Sequence, residues 1–256
     1  MVLFLLLLII LLSLPFVQSK LANQATNWVN KEFNTNVVVK KIDLSWLGSV
    51  QLKGIEIRDH QKDTLIFVDN LSTSLLNAKR VLDNQVDLGE ASLSGVHFYM
   101  KTYKGEKSDN LAIFINSFED GKPRDSLAKP FILKSKKIVV DDLTYKFINN
   151  NNKNPLQFAA YNTGGELHNF GIKGSDISMK VKNMFFTENR GVNITNLTTD
   201  FIYTPKEMRF DNTTLETDNQ TKLQSNIKFS YNREDFKYFN DKVRLKASFK
   251  ESVLSV

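Results

Sequence analysis

Few residues in this chain have types and spacings suited to covalent chemistry. Histidine, the side chain that exchanges protons near neutral pH, occurs at His60, His97 and His168, far apart and without a second ligand or base at a motif spacing. Asp141 and Asp142 suggest a metal site or an acid–base pair. On a strand, however, adjacent side chains point to opposite faces, so the pair reads as a local irregularity in a strand. Cysteine is absent, which excludes disulfides, zinc–thiolate sites and thiol nucleophiles while leaving the compartment open. No phosphate loop, nucleophile elbow or metal motif is present. The expectation is a protein that is not an enzyme, has no metal or cofactor, and works by binding.

What the sequence offers for binding is apolar side chains set out on strands. Val50, Leu52, Ile55 and Ile57 alternate, take one step of three, and alternate again. The same beat returns in Ala91, Leu93, Val96 and Phe98, in Ile138, Val140, Leu143 and Tyr145, and in Val192, Ile194, Leu197 and, more weakly, Thr199. The residue before the third beat is Gly54, Gly95, Asp142 or Asn196, types that tolerate positive φ. A one-residue slip in a period of two turns every later side chain to the other face. An extra residue in a left-handed conformation absorbs that slip, which predicts a repeated strand with a β-bulge at these four positions. The copies are unevenly spaced, which suits a sheet with variable loops and not a tight solenoid.

The elements that must position these strands follow in order. Residues 1–19 form an almost unbroken apolar run. Val2 to Val17 reaches roughly 24 Å as a helix against a hydrocarbon core of about 30 Å. It is expected to be a transmembrane anchor, with Leu5, Leu8 and Leu12 in the bilayer. A cleaved secretory signal ending near Ser19 is the competing reading. Residues 20–35 carry Leu21, Ala25, Trp28, Val29 and Phe33 at helical spacing, an amphipathic helix. Trp28 serves there either as an interfacial anchor or as a plug for the end of the sheet. Residues 36–256 read as a meander of antiparallel strands, cut short at its C-terminal end. A short helix capped by Asp109 and a helical turn over 233–240 interrupt it. The charge of +6 is spread along the chain without a basic–aromatic module, so no nucleic-acid partner is expected. It favours anionic headgroups weakly.

The anchor, the amphipathic helix and the segment from Lys41 to Leu75 resemble the N-terminal region of the AsmA-like family, in its TamB type. Gly48, Gly54, Asp59, Asp63-Thr64-Leu65, the run Thr102–Glu106, Asn110-Leu111 and Phe114 carry the resemblance. No C-terminal TamB domain is recognisable, so the chain looks like an N-terminal part. The resemblance implies a mainly β fold: a transmembrane helix, then an elongated, taco-like antiparallel sheet with short helices. It also implies a single-pass inner-membrane protein with its bulk in the periplasm. A groove lined by Leu52, Ile55, Ile57, Val96, Phe98, Val140, Leu143 and Leu197 would then shield phospholipid acyl chains moving between the inner and outer membranes. The alternative is a scaffold that assists outer-membrane protein assembly with a β-barrel partner. A compact β-sandwich on a membrane stalk is the third arrangement the strands allow.

Overall fold

The structure is a computed structural model that describes residues 23, 27, 30, 36–44, 49–75, 85–117, 132–174, 176–232 and 242–255. The expected anchor, with Leu5, Leu8, Leu12 and Trp28, and the helical turn over 233–240 lie outside the described residues. Of the amphipathic helix only Asn23, Asn27 and Asn30 are described, and all three are helical. No helix of the described residues is long and apolar enough to cross a membrane.

Among the described residues eleven strands form one sheet in which spatial order follows chain order. They are β1 (Asn36–Leu44), β2 (Ser49–Arg58), β3 (Thr64–Leu75), β4 (Gln85–Thr102), β5 (Ile132–Asn149), β6 (Leu156–Lys173), β7 (Asp176–Glu188), β8 (Asn193–Tyr203), β9 (Glu207–Thr217), β10 (Lys222–Ser230) and β11 (Arg244–Phe249). Among the described residues β1 and β11 do not pair with each other. Each strand packs mainly on its sheet neighbours, and the helix α1 (Asn110–Ser117) packs on β4. Among the described residues there is therefore no second sheet to make a sandwich. Asp109 caps α1 as expected, its Oδ1 accepting the Ala112 N–H at 2.8 Å.

The step of three in the apolar beat is present, but in β1 to β5 it is not a bulge. Val39 and Ile42 in β1 face Ile55 and Leu52 in β2, which face Val68 and Leu71 in β3. Those face Val96 and Leu93 in β4, which lie beside Leu143 and Val140 in β5. All five strands take the extra residue at the same height, so the ladder passes through it without a register shift. Gly54, Gly95 and Asp142 absorb it at φ 61°, 61° and 54°. Asn196, the fourth expected position, is not among the positive-φ residues; Asn162, Asn169, Asn183 and Asn212 take that conformation instead, at φ 50–52°. From β6 onward the three-residue steps fall at different heights in neighbouring strands. Leu143–Tyr145 in β5 faces Thr163–Ala160 in β6, Val181–Met184 in β7 faces Thr199–Leu197 in β8, and Phe210–Thr213 in β9 faces Ile227–Ser225 in β10. These are true bulges, with a register shift at each. Val192, expected to open the fourth copy, lies outside β8 and is exposed.

The expected all-antiparallel meander is corrected at one junction: β4 and β5 run parallel. Parallel neighbours need a crossover of a dozen or more residues, and residues 103–131, which include α1, supply that length. The second and third copies of the beat consequently lie side by side. Ala91 pairs with Ile138, Leu93 with Val140, Val96 with Leu143 and Phe98 with Tyr145.

Candidate functional site

Cross-strand pairs share a face, so the register places the apolar residues directly. Three unbroken rows cross β1 to β5. One runs Ile42, Leu52, Leu71, Leu93, Val140; the next Val39, Ile55, Val68, Val96, Leu143; the third Val37, Ile57, Ile66, Phe98, Tyr145. No charged side chain stands in these rows. Seven of the eight expected lining residues lie in them. Leu197 occupies the same face further along, between Met184 of β7 and Leu215 of β9.

Residues of the face that the repeat pattern did not single out are those of β1 and β3, whose three-residue step is not marked by glycine, together with an aromatic row. Phe98 meets Tyr145 with ring centroids 5.2 Å apart, Tyr145 meets Phe158 at 6.0 Å, and Phe158 meets Phe186 at 6.3 Å. Burial pushes the Tyr145 hydroxyl up to about 12, so it is neutral, and it donates to Met100 Sδ at 3.8 Å.

The middle of the face is the driest part. Ala91, Ile138 and Val140 are buried, with Leu93, Leu143, Leu167 and Phe170 packed round them. Around this centre the apolar residues are only half-buried, because among the described residues nothing is laid over them. A half-buried apolar face of this extent is the kind of surface that marks a binding site.

The opposite face carries the polar side chains. Lys137 and His168 both contact Glu166, at 2.6 and 2.7 Å, and Lys137 foremost holds that carboxyl below its usual range. Lys228 does the same for Glu207 at 2.6 Å. An aromatic stripe interrupts this face: His97 lies between the rings of Phe67 and Tyr99, at 6.0 and 5.9 Å. Lys40 stands over Phe67, and Lys146 over both Tyr99 and Tyr161. The His97 Nδ1 is buried without a hydrogen-bond partner.

One end of the sheet is fastened by a polar clasp built from residues that carried the family resemblance. Asp59, 1% exposed, follows β2 and is almost wholly enclosed. Its Oδ1 accepts the Gln61 and Asp63 N–H groups, both at 3.0 Å, which shapes the β2–β3 turn. Its Oδ2 accepts Asn110 Nδ2 at 2.8 Å and lies 2.7 Å from the Tyr103 hydroxyl. Asn110 in turn donates to Tyr99 O and accepts the Lys101 N–H. Asp63 accepts Lys101 Nζ at 2.9 Å, and this bond above all, with that to Tyr103, lowers its pKa. Two neighbouring carboxylates and burial drive the Tyr103 pKa far up, with burial the largest cause. Outside this network His60 pairs with Glu106 at 3.0 Å. The clasp ties the β2–β3 turn to the start of α1 and so holds one end of the apolar rows in register.

The three histidines are not brought together: His60 pairs with Glu106 beside the clasp, His97 lies in the aromatic stripe, and His168 in the β6 ion pairs. Asp141 and Asp142 occupy the shared step of β5, with Asp142 in the left-handed conformation. Among the described residues no group of three or more His, Asp or Glu side chains could hold a metal ion. No protein-family model matches this chain, and a search of curated proteins finds no match to it either.

Proposed function

We propose that this chain is a lipid-handling protein of the cell envelope. In this reading it is held in the inner membrane by residues 1–19 and shields phospholipid acyl chains along its apolar face as they pass through the periplasm. The sheet would curve lengthwise into a groove. The observation that carries the reading is the set of three uncharged rows, continuous across five strands and left half-open. Each methylene laid on such a face is stabilised by about 0.8 kcal/mol relative to water, while headgroups stay wet at the rim. The neutral Tyr145 keeps charge off the rows, and a binding role agrees with the lack of any motif for covalent chemistry.

The test is to purify the chain, extract it and look for phospholipid by mass spectrometry. Phospholipid is expected to copurify, and Ile57→Asp with Phe98→Asp should abolish it while circular dichroism stays that of the parent. A folded parent that carries no lipid sinks the proposal.

A further inference from the structure

In the interior of the sheet β6, β7 and β8 bulge at one height. Between the pairs Tyr161–Thr187 and Gly164–Phe185, Asn162 and Thr163 of β6 stand against Phe186 alone. Between Phe186–Ile194 and Met184–Leu197, Phe185 alone stands against Thr195 and Asn196 of β8. Asn162 takes up its extra residue at φ 51°. Bulges re-aim side chains, and here they open a hollow of about 360 Å³ beside Phe185. Phe186 belongs to the apolar face, where it meets Phe158, so Phe185 points to the polar one. Phe185 is 49% exposed, and its ring leans over Gly164, where a Cβ would lie 2.5 Å from Cζ. The missing side chain gives the ring its place. Asn162, Thr187, Asn193 and Thr195 line the hollow with amides and hydroxyls, and no charged residue lines it. Asn193 is fixed in orientation: it accepts Thr187 Oγ1–H at 2.9 Å and donates to Asp218 Oδ2 at 2.6 Å. The Asn162 amide and the Thr195 hydroxyl have no hydrogen-bond partner among the described residues.

We infer that this hollow binds one pyranose ring of an uncharged saccharide. The exposed side of Phe185 gives the C–H face of such a sugar an apolar surface to lie on. Amides and hydroxyls both donate and accept, as sugar hydroxyls do, so Asn162 and Thr195 gain the partners they lack. A phosphate or carboxylate calls for a cationic donor, and the lining holds none. An all-carbon aromatic ligand would cover the amides without bonding them, which is unfavourable. The hollow opens beside Phe185, away from the uncharged rows, and the inference does not depend on the lipid reading.

The test is saturation-transfer difference NMR on the full chain in phosphatidylcholine vesicles, with maltotriose, chitotriose and the anionic trigalacturonate as probes. Saturation is expected on the ring C–H protons of a neutral sugar and not on trigalacturonate. Phe185→Ala should weaken that binding about tenfold and Asn162→Ala about threefold, while Phe185→Trp keeps it. Circular dichroism checks that each variant folds; Asn162→Ala and Thr195→Val carry the test if Phe185→Ala does not. Adding digalactosyldiacylglycerol to the vesicles separates two sources of the sugar. Loss of the trisaccharide signal assigns the hollow to a glycolipid headgroup, and its persistence assigns it to a free or polymeric glycan. The inference is overturned if no neutral saccharide takes up saturation, if trigalacturonate does so as strongly, or if the folded variants bind as the parent does.

Discussion

The strands β1 to β5 and the strands β6 to β10 solve one geometric problem in two ways. Both must keep a single apolar face although their sequences take a three-residue step within a two-residue period. In the first group all strands take the step together, no register shift falls at it, and its three rows are aliphatic except for Phe98 and Tyr145. In the second group the steps are staggered, and each mismatch becomes a bulge. Hydroxyls, which in the first group reach the face at Thr73, recur in the second. Thr199, buried, lies 2.8 Å from Thr213 and donates to Asp211 O, and Ser225 follows in the same row. A slip shared by every strand leaves the register unshifted; an unshared one must be met residue by residue, by asparagines at positive φ and by hydrogen bonds from side chains.

The largest effect is expected where a bulge admits no side chain at all. Gly165, opposite Val140, has φ 148°, and a Cβ there would lie 2.7 Å from the Met184 Cα. Gly165→Ala should cost about 3 kcal/mol or more, lowering Tm by roughly 6 °C or more. A melt matching the parent's would mean that the staggered strands give way easily and that the contrast with β1 to β5 is false.

Smaller and graded effects belong to the shared step. A side chain at Gly95 would meet Asp69 Cβ at 2.8 Å, whereas one at Gly54 would meet the flexible stem of Lys40, whose Cδ is at 2.6 Å and Cγ at 2.9 Å. Both glycines have φ 61°, a conformation costly to β-branched residues. Gly95→Val should therefore destabilise by about 2–3 kcal/mol, Gly54→Val by about 1–2, and Gly54→Asn by less than about 1. The tolerance of asparagine rests on the four asparagines that already hold this conformation. Thermal melts of the three variants rank them; if the two Gly54 variants melt together, backbone strain is not what the glycine relieves.

The shared step was legible in the sequence because Leu52–Ile55, Leu93–Val96 and Val140–Leu143 are aliphatic on both sides of a glycine or aspartate. The staggered steps were not, since Thr163, Thr199, Thr213 and Ser225 hide the alternation and their asparagines lie in an asparagine-rich stretch. Nor was the parallel β4–β5 pair, because a strand's own periodicity carries no information about its neighbour's direction. The clasp residues stood out only through the family resemblance. Their role depends on bringing Asp59 to Asn110, which no local pattern encodes.

The smallest effect separates the two groups by acid. Glu166, Asp200, Glu207 and Glu216 are held below the usual carboxylate range, first by hydrogen bonds from Lys137, Asn212, Lys228 and Lys222 respectively. In the first group the clasp's Asp63 and Glu56, bonded to Arg58, are lowered in the same way. A carboxyl with a lowered folded pKa stabilises above its unfolded value and loses that contribution as pH falls through the folded one. Acidification below about pH 4 should therefore loosen β6 to β10 before β1 to β5, modestly, since these pairs are solvated. Relative amide exchange protection in the two groups, followed as pH is lowered, measures this; simultaneous loss in both removes the distinction.

The clasp also sets an order in time. Asp59 and Asn110 are 51 residues apart, so when β2 and β3 leave the ribosome the residue that will enclose the carboxylate has not yet emerged. Until then Asp59 keeps its water, because stripping a charge without a partner is strongly unfavourable. The β2–β3 turn can close through Gln61 and Asp63, but its dry form must wait for all of β4 and the first residue of α1. The emergence of Asn110 is thus the moment from which that end of the sheet can become permanent.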